Sequence, residues 1–217
     1  RVRLRTGETL SELETLEMLS SYGIPTIPCR AVESLQEALD AAVELGWPVA
    51  LKTAAPGITH KTDVGGVFLR LDAEAALERA YADLSARLGP RALVAAMARP
   101  GIELALGVVR DAQFGPLVMV AAGGALIEVL RDRAFGLAPL DDPRARELIE
   151  SLAVSRLLEG VRGSRAADTE GLVRCVVALA RLATDLGEHL DGLDVNPLVV
   201  GPEGCVAVDG LALGRSR

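Results

Sequence analysis

The chain has 217 residues, of which 50% are hydrophobic and 24% charged, so it has enough apolar area for a core and is not a disordered tail. Aromatic residues make up only 3% of the sequence, which argues against a single-strand nucleic-acid binder, because such proteins stack bases on exposed rings. The formal net charge of −7 gives no general attraction to nucleic acid or anionic lipid, so local groups must hold any bound phosphate.

The first half of the chain alternates helices with short strands. Residues 9–12 predict a capping box that opens a helix ending at Gly23, and residues 34–37 predict a second helix ending at Gly46. Short apolar runs predict strands over 49–52, 67–71 and 92–97, with a helix over 73–88 before the last of them.

After Pro100 the pattern changes to closely spaced strands. Four candidates follow one another with short turns, over 102–110, 117–122, 125–130 and 135–138. This spacing is typical of an antiparallel meander and not of a βαβ repeat. Helices over 143–153 and 169–186 then precede a closing hairpin with strands over 193–200 and 205–209. The sequence therefore predicts a mixed α/β protein of two lobes with a boundary near residues 96–101.

Cellular setting is indicated by what the sequence lacks. No segment reaches the roughly 18 apolar residues of a membrane helix, and no signal peptide is visible. Cys29, Cys175 and Cys205 are far apart and form neither a disulfide framework nor a zinc pattern. We therefore expect a cytoplasmic protein with no membrane or nucleic-acid partner. Because the first residue is Arg1 and not Met, we also expect a piece of a longer polypeptide.

The closing hairpin carries a candidate metal site. If Val200 pairs with Cys205 across the turn, Asn196 lies opposite Asp209, and directly opposed residues share a sheet face. Asp194 lies on the same face, two residues along the strand. One amide oxygen and two carboxylates suit Mg²⁺ that carries nucleotide phosphates. Taken alone, this spacing slightly favours the plainer interpretation, a solvent-exposed face of an edge hairpin.

Three features of the first lobe could meet a phosphate. Lys52 ends an apolar strand, where an ammonium group is costly to bury unless it meets an anion. Gly65 and Gly66 would let backbone amides approach phosphate oxygens, and His60 could accept a phosphoryl group. The plainer alternatives are a lysine that reaches solvent, a turn between strands, and an exposed loop histidine without a special role.

Several short segments occur in an order that is specific as a set. They are Leu51-Lys52, HKTDVGGV at 60–67, Gly101-Ile102-Glu103, DAQFGP at 111–116, Gly123-Gly124 with Glu128, GVRG at 160–163, and DVNP at 194–197 with Asp209. This set resembles the ATP-grasp domain of the NDP-forming (ADP-forming) acyl-CoA synthetases, which are relatives of succinyl-CoA synthetase. The resemblance extends from about Leu10 to Leu211. It implies a two-lobed α/β ATP-grasp fold with the nucleotide bound between an N-terminal lobe (23–95) and a C-terminal lobe (1–22 and 96–217).

The resemblance also implies a nucleotide site for ATP or ADP. Lys52 would contact the nucleotide phosphates, and Gly65 and Gly66 would belong to a mobile loop that folds over them. Met97 would lie at the lobe junction beside the nucleotide. Glu103 matches the acidic residue that usually holds the ribose hydroxyls.

Metal binding and catalysis are implied in the same way. Asn196 and Asp209 match the metal ligands of succinyl-CoA synthetase, in agreement with the hairpin register, and Asp194 would join them in binding Mg²⁺. His60 matches a histidine that is transiently phosphorylated in the ADP-forming enzymes. The implied reaction converts acyl-CoA, ADP and phosphate into acid, CoA and ATP.

The resemblance implies a partner as well, because the chain has no CoA-binding Rossmann region and no second phosphohistidine domain. A CoA-binding domain or subunit would supply both, in a heteromer or a fused dimer. The alternative is a nucleotide-sensing regulatory domain fused to a protein lysine acetyltransferase. Ala95-Ala96 motivates that alternative, since relatives often carry a polar pair there that contacts the adenine edge. A plain α/β domain with vestigial matches is a third interpretation.

Overall fold

The computed structural model describes residues 9–124, 132–160, 163 and 165–215. It divides the chain into two compact units: a small unit, Ile27–Ala98, and a large unit, Arg1–Thr26 with Arg99–Arg217. A search of the described residues found no helix with the length and apolar character needed to cross a membrane. The strand expected over 125–130, with Glu128, and residues 161–162 of the GVRG segment lie outside the described residues.

The elements are, in chain order, α1 (Glu12–Ser21), β1 (Cys29–Val32), α2 (Leu35–Leu45), β2 (Val49–Thr53), β3 (Val67–Leu71), α3 (Glu74–Leu88), β4 (Ala92–Ala96), β5 (Ile102–Asp111), β6 (Gly115–Ala122), β7 (Arg133–Leu137), α4 (Asp142–Glu150), α5 (Ser155–Leu158), α6 (Thr169–Leu186), a 3₁₀ turn (Gly187–His189), β8 (Leu190–Gly201), β9 (Gly204–Ala207) and β10 (Gly210–Gly214).

The small unit is a four-stranded antiparallel sheet covered by two helices. Its strand order is β1-β4-β2-β3, so β2 lies inside the sheet. The helices α2 and α3 pack on each other and on this sheet. Apolar residues repeat on one side of each helix, as an amphipathic helix requires, and they form the core with alternate strand residues. Fully buried members of that core are Ala38, Leu51, Leu77, Leu84 and Val94.

Helix starts follow local capping chemistry. The side chain of Ser34 caps α2 by accepting the backbone N–H of Glu37 at 3.2 Å, as the sequence predicts. The capping box of α1, however, is formed by Ser11 and Glu14, not by residues 9–12. Ser11 is the residue whose extended backbone precedes the helix, so the partner three positions later is Glu14. Gly23 follows the end of α1 with a φ of 88°, as expected for a helix-ending glycine.

The large unit contains a six-stranded antiparallel sheet. Its order is β10-β8-β5-β6-β7, and β9 also pairs with β8. The predicted meander is confirmed for β5, β6 and β7, which are neighbours in the sheet. The long helix α6 packs against β6, β5, β8 and β9, and α1 packs against β10. Asp168 caps α6 by accepting the N–H of Gly171 at 2.8 Å.

The closing hairpin has the predicted register. Val200 pairs with Cys205, and Leu198 pairs with Ala207. The strand expected over 205–209 nevertheless stops at Ala207, and the chain then continues into β10, which the sequence analysis did not predict. β10 pairs with β8 in the same register, so Gly210 lies opposite Val195. β8 is therefore long enough to serve two partner strands in succession.

Candidate functional site

The two faces of the large sheet differ in the size of the side chains at its centre. Leu104, Leu106, Val118 and Val120 are all buried, and they occupy the even positions of β5 and β6. Because strand residues alternate between faces, the odd positions share the opposite face. Small residues fill these odd positions in the middle of the sheet, namely Ala105, Gly107 and Ala121.

An open pocket of about 310 Å³ lies in the large unit, over these small residues. It is lined by Ala105, Met119, Ala121, Ala122, Asp132, Arg133, Asp194 and Asn196. The small residues form an apolar floor, while charged and amide groups stand on β8 and at the start of β7. A pocket of this kind holds a ligand by a few placed polar groups around an apolar surface. Two of the three expected metal ligands, Asp194 and Asn196, are therefore brought into one pocket.

The third expected ligand, Asp209, lies opposite Asn196. The backbone N–H of Asn196 donates to the carbonyl oxygen of Asp209 at 3.3 Å, and the pairing derived for the hairpin is confirmed there. One carboxylate oxygen of Asp209 accepts the backbone N–H of Gly210 at 2.7 Å, which fixes the direction of that side chain. Asp194 is exposed, whereas Asn196 and Asp209 are half-buried.

The donor set fits a hard divalent cation that is completed by a ligand. Among the described residues, no group of three or more His, Cys, Asp or Glu side chains is placed to hold a metal ion alone. Asp194, Asn196 and Asp209 offer oxygen donors only, with two carboxylates and one amide. Mg²⁺ usually takes one or two carboxylates and completes its octahedron with waters and substrate phosphates. The residues present therefore fit Mg²⁺ that arrives with a polyphosphate.

Glu103 is held at the start of β5 by the two glycines that follow β6. The N–H of Gly123 donates to the carbonyl oxygen of Glu103 at 2.8 Å. A methyl group on Gly123 would lie only 2.6 Å from the backbone carbon of Leu104, so the two segments touch directly. The Glu103 carboxylate lies against the position that a Cβ of Gly124 would occupy. The glycine pair thus lets the chain pass close over an exposed acidic side chain.

In the small unit, Lys52 is buried within the central strand β2. Its exposed fraction is 4%, and its backbone pairs with Leu93 on β4 and with Val67 on β3. The alternative of a lysine that reaches solvent from a strand end is therefore wrong. A buried ammonium group carries a large desolvation cost that only an anionic or strongly accepting partner offsets.

Gly65 and Gly66 lie in the loop between β2 and β3. Their backbone N–H groups donate within that loop, Gly65 to Thr62 at 3.0 Å and Gly66 to Lys61 at 2.8 Å. In this conformation the pair forms a turn whose amides are already used. A methyl group on Gly66 would meet the side chain of Thr53 at 2.6 Å, so the loop packs tightly onto the end of β2.

Arg87 on α3 forms hydrogen bonds to this loop. Its guanidinium donates to the carbonyl oxygens of Val64 at 3.0 Å and of Gly65 at 2.9 Å. The same group forms an ion pair with Asp83 at 2.6 Å, one helical turn earlier. Hydrogen bonding to Arg87 lowers the pKa of the Asp83 carboxyl, and the same bond raises the pKa of Arg87. Arg87 therefore stays charged and holds the glycine turn.

The two remaining expected site residues are also in the small unit. His60 is exposed in the same loop, five residues before Gly65, where a reacting group could reach its imidazole. Met97 directly follows β4 and is half-buried.

Three residues of these regions do not stand out in the sequence. Arg87 was part of a predicted helix, and nothing in its spacing indicates a bond to a loop 22 residues away. The sequence predicts a turn between strands at Asp132 and Arg133, but β7 begins at Arg133. The Asp132 carboxylate accepts the N–H groups of Ala153 at 3.0 Å and Val154 at 2.8 Å. The alternation of Arg133 and Phe135 with Ala134 was the signal that could have extended the strand.

The ATP-grasp domain family matches residues 1–211 of the chain. The chain belongs to the ATP-grasp family. The chain is 34% identical over 217 residues to the β subunit of the ADP-forming acetate–CoA ligase II of Pyrococcus furiosus, covering 95% of this chain and 92% of that protein. It is 35% identical over 214 residues to the ADP-forming acetate–CoA ligase I of Archaeoglobus fulgidus, covering 95% of this chain but 31% of that protein. The ATP-grasp domain thus spans nearly the whole of one relative and about a third of the other.

A solved structure gives the same assignment. It is the dinucleotide-forming acetyl-coenzyme A synthetase 1 of Korarchaeum cryptofilum, in complex with coenzyme A and Mg-AMPPCP, with its phosphohistidine segment pointing towards the nucleotide binding site. The ATP-grasp domain matches it with a TM-score of 0.86 and 36% identity, covering 95% of this chain and 93% of that chain. The fold expected from the sequence is therefore confirmed.

Proposed function

We propose that this ATP-grasp domain is the nucleotide-binding module of an ADP-forming acyl-CoA synthetase, which transfers a phosphoryl group between a phosphohistidine and Mg-ADP. The pocket that brings Asp194 and Asn196 together, with Asp209 opposite Asn196, carries this proposal. The small unit Ile27–Ala98 is taken as the N-terminal lobe and the rest of the chain as the C-terminal lobe. The named relatives are ligases, which does not favour the alternative of a regulatory domain.

Asp194, Asn196 and Asp209 are proposed to hold Mg²⁺ by their side-chain oxygens. The bound ion would neutralise charge on the phosphates during transfer. The hydrogen bond from the Gly210 N–H orients the Asp209 carboxylate, so little conformational freedom would be lost if this group binds the ion. A preplaced ligand loses less conformational entropy on binding than a mobile one.

The other expected residues are proposed to bind different parts of the nucleotide. Lys52 is proposed to meet phosphate oxygens, because its burial makes an anionic partner favourable. Glu103 is proposed to accept hydrogen bonds from the ribose hydroxyls, and Met97 to pack on the base. Gly65 and Gly66, which carry no side chains, are proposed to leave room for a phosphate to approach Lys52.

His60 is proposed as the phosphoryl carrier. An imidazole nitrogen would form a bond to phosphorus as the bond to the donor breaks, and an oxygen of the ADP β-phosphate would then displace the imidazole. Positioning and charge neutralisation supply most of the catalysis in such transfers. The exposure of His60 on a loop suits a group that must meet a donor from outside this chain.

That donor is proposed to be a CoA-binding domain or subunit that carries its own phosphohistidine, in a heteromer or a fused dimer. The overall reaction would convert acyl-CoA, ADP and phosphate into acid, CoA and ATP. A cytoplasmic setting is proposed too. None of the three cysteines, all of which are in the described residues, forms a disulfide.

The test is ATP formation by the chain combined with its CoA-binding part, acetyl-CoA, ³²P-phosphate and Mg-ADP. We expect an acid-labile, alkali-stable label on the chain and loss of both label and ATP formation in His60→Asn. The matched control is His189→Asn, which changes the only other histidine and should keep both. ATP formation that survives His60→Asn would show that His60 is not the carrier.

A further inference from the structure

The pocket of the large unit contains a cation that the resemblance does not assign. We propose that Arg133 binds the nucleotide phosphate group that lies nearest the metal ligands. This inference rests on the proposed function and extends it. It assigns a phosphate contact to β7, which lies three strands away from β8 with its Asp194 and Asn196. Arg133 is the only cation among the described residues that line the pocket.

The sheet register places Arg133 in line with the metal ligands. Arg133 on β7 pairs with Ala121 on β6, and Ala121 pairs with Ala105 on β5. Directly opposed residues share a face, so these three side chains point to one side of the sheet. On the far side of β5 lies β8, whose Asn196 lines the same pocket. The backbones of β7 and β8 are three strand spacings apart, which is about 14 Å. Side chains from both strands extend into the space between them.

The floor between these ends cannot hold a phosphate by itself. Ala105 and Ala121 point their methyl groups into it, so a phosphate there would lose hydration without gaining hydrogen bonds from side chains. Binding groups must therefore come from the rim. At one rim stand Asp194 and Asn196, which would act through the metal, and at the other stands Arg133.

The guanidinium of Arg133 is suited to this role. It lies 6.0 Å from the centroid of the Phe135 ring, which is the next residue on the same face of β7. This ring gives the exposed arginine a preferred direction. The neighbouring Asp132 carboxylate is engaged by the N–H groups of Ala153 and Val154, which positions it on the backbone of that turn. A planar guanidinium can donate two parallel hydrogen bonds to one phosphate.

The test is calorimetric titration of the full chain with Mg-ADP and with Mg-AMPPCP, an analogue of ATP that is not hydrolysed. Arg133→Met removes the charge, and Arg133→Lys keeps the charge without the planar fork. Arg181→Met makes the same change on an exposed arginine of α6 and serves as the control. Thermal unfolding of each variant establishes that the fold is kept.

We expect Arg133→Met to weaken binding by about tenfold to a hundredfold, which is the usual effect of losing a charge-assisted hydrogen bond. Arg133→Lys should recover part of the loss, and Arg181→Met should bind like the wild type. Weakening of both ligands assigns Arg133 to a phosphate that they share, and weakening of Mg-AMPPCP alone assigns it to the terminal phosphate.

Equal affinity of wild type and Arg133→Met for both ligands would overturn the inference and leave the proposed function standing. A folded wild-type chain that binds neither ligand would overturn both. The dependence of binding on Mg²⁺ separates the two roles further, because Arg133→Met should keep that dependence while its affinity falls.

Discussion

Asn196 on β8 lies opposite Asp209, which stands in the two-residue link between β9 and β10, and the N–H of Asn196 donates a hydrogen bond of 3.3 Å to the carbonyl oxygen of Asp209. The pairing of Val200 with Cys205 sets this register, and it persists where β10 replaces β9 beside β8. A shift of one residue in either strand would place the two side chains on opposite faces. The hairpin turn therefore determines which oxygens face the pocket.

Gly123→Ala should destabilise the large unit. The added methyl group would lie 2.6–2.7 Å from backbone atoms of Glu103 and Leu104, and a strand backbone cannot move aside cheaply. Overpacking of this kind costs about 1–3 kcal/mol of unfolding free energy, measurable by urea denaturation. Gly192→Ala is the control in the same sheet, since its methyl group meets its nearest neighbour at 3.6 Å. Equal stability of the two variants would contradict the close approach.

Arg87→Ala should loosen the glycine turn without unfolding the small unit. The carbonyl oxygens of Val64 and Gly65 would lose their donor, so the turn that Gly65 and Gly66 close should open more often. Hydrogen exchange at the amides of Gly65 and Gly66 reports this opening. Arg79→Ala changes an exposed arginine of the same helix and should leave those rates unchanged. Unchanged exchange in Arg87→Ala would show that the turn is stable on its own.

Asp111 makes stability depend on pH at the β5–β6 hairpin. Its carboxylate accepts the N–H groups of Gln113 and Phe114, each at 2.8 Å, and these bonds lower its pKa below the ordinary 3.8. A depressed carboxyl pKa stabilises the fold above the unfolded pKa, and this contribution is lost as pH falls through the folded pKa. Wild type should therefore exceed Asp111→Asn in urea midpoint at pH 7, and the difference should vanish in strong acid. Asp72→Asn, at an exposed position, is the control; a difference independent of pH would contradict the prediction.

The two buried thiols should be unreactive in the native protein. Cys175 and Cys205 have exposed fractions of 2% and 7%, and the Cys205 thiol donates to the carbonyl oxygen of Asp168 at 3.8 Å. Contact with Cys175 and burial raise the pKa of Cys205, which keeps it protonated at neutral pH. Titration with a thiol reagent should therefore find one fast thiol, the half-buried Cys29, and three in denaturant. Fast reaction that persists in Cys29→Ser would contradict this.

The features that the sequence predicts correctly are local ones. Ser34 and Gly46 bound α2 as expected, and the four-residue turn after Val200 determined the register that brings Asn196 and Asp209 together. Each of these features depends on residues within one hairpin or one helix. The sequence signal and the physical cause therefore lie in the same short segment.

The features that escaped prediction depend on distant pairing. β1 forms because it adds to β4, whose residues follow about 60 positions later, and its own four residues carry no clear alternation. Arg133 became a strand residue because Ala121 pairs with it, and Arg87 reaches a loop that its helix does not adjoin in sequence. No local pattern in the sequence indicates such neighbours. The position of Arg133 in the pocket and the hydrogen bonds of Arg87 to the glycine turn are therefore seen only in the folded structure.

Binding of a nucleotide through Mg²⁺ is the role proposed for Asp194, Asn196 and Asp209. Its most direct test is calorimetric titration of the purified chain with ADP, with and without Mg²⁺, beside an Asn196→Ala/Asp209→Ala variant of equal thermal stability. We predict binding that requires Mg²⁺ and is lost in the variant. Binding of the same strength in the variant, or none by the folded wild-type chain, would contradict the assignment.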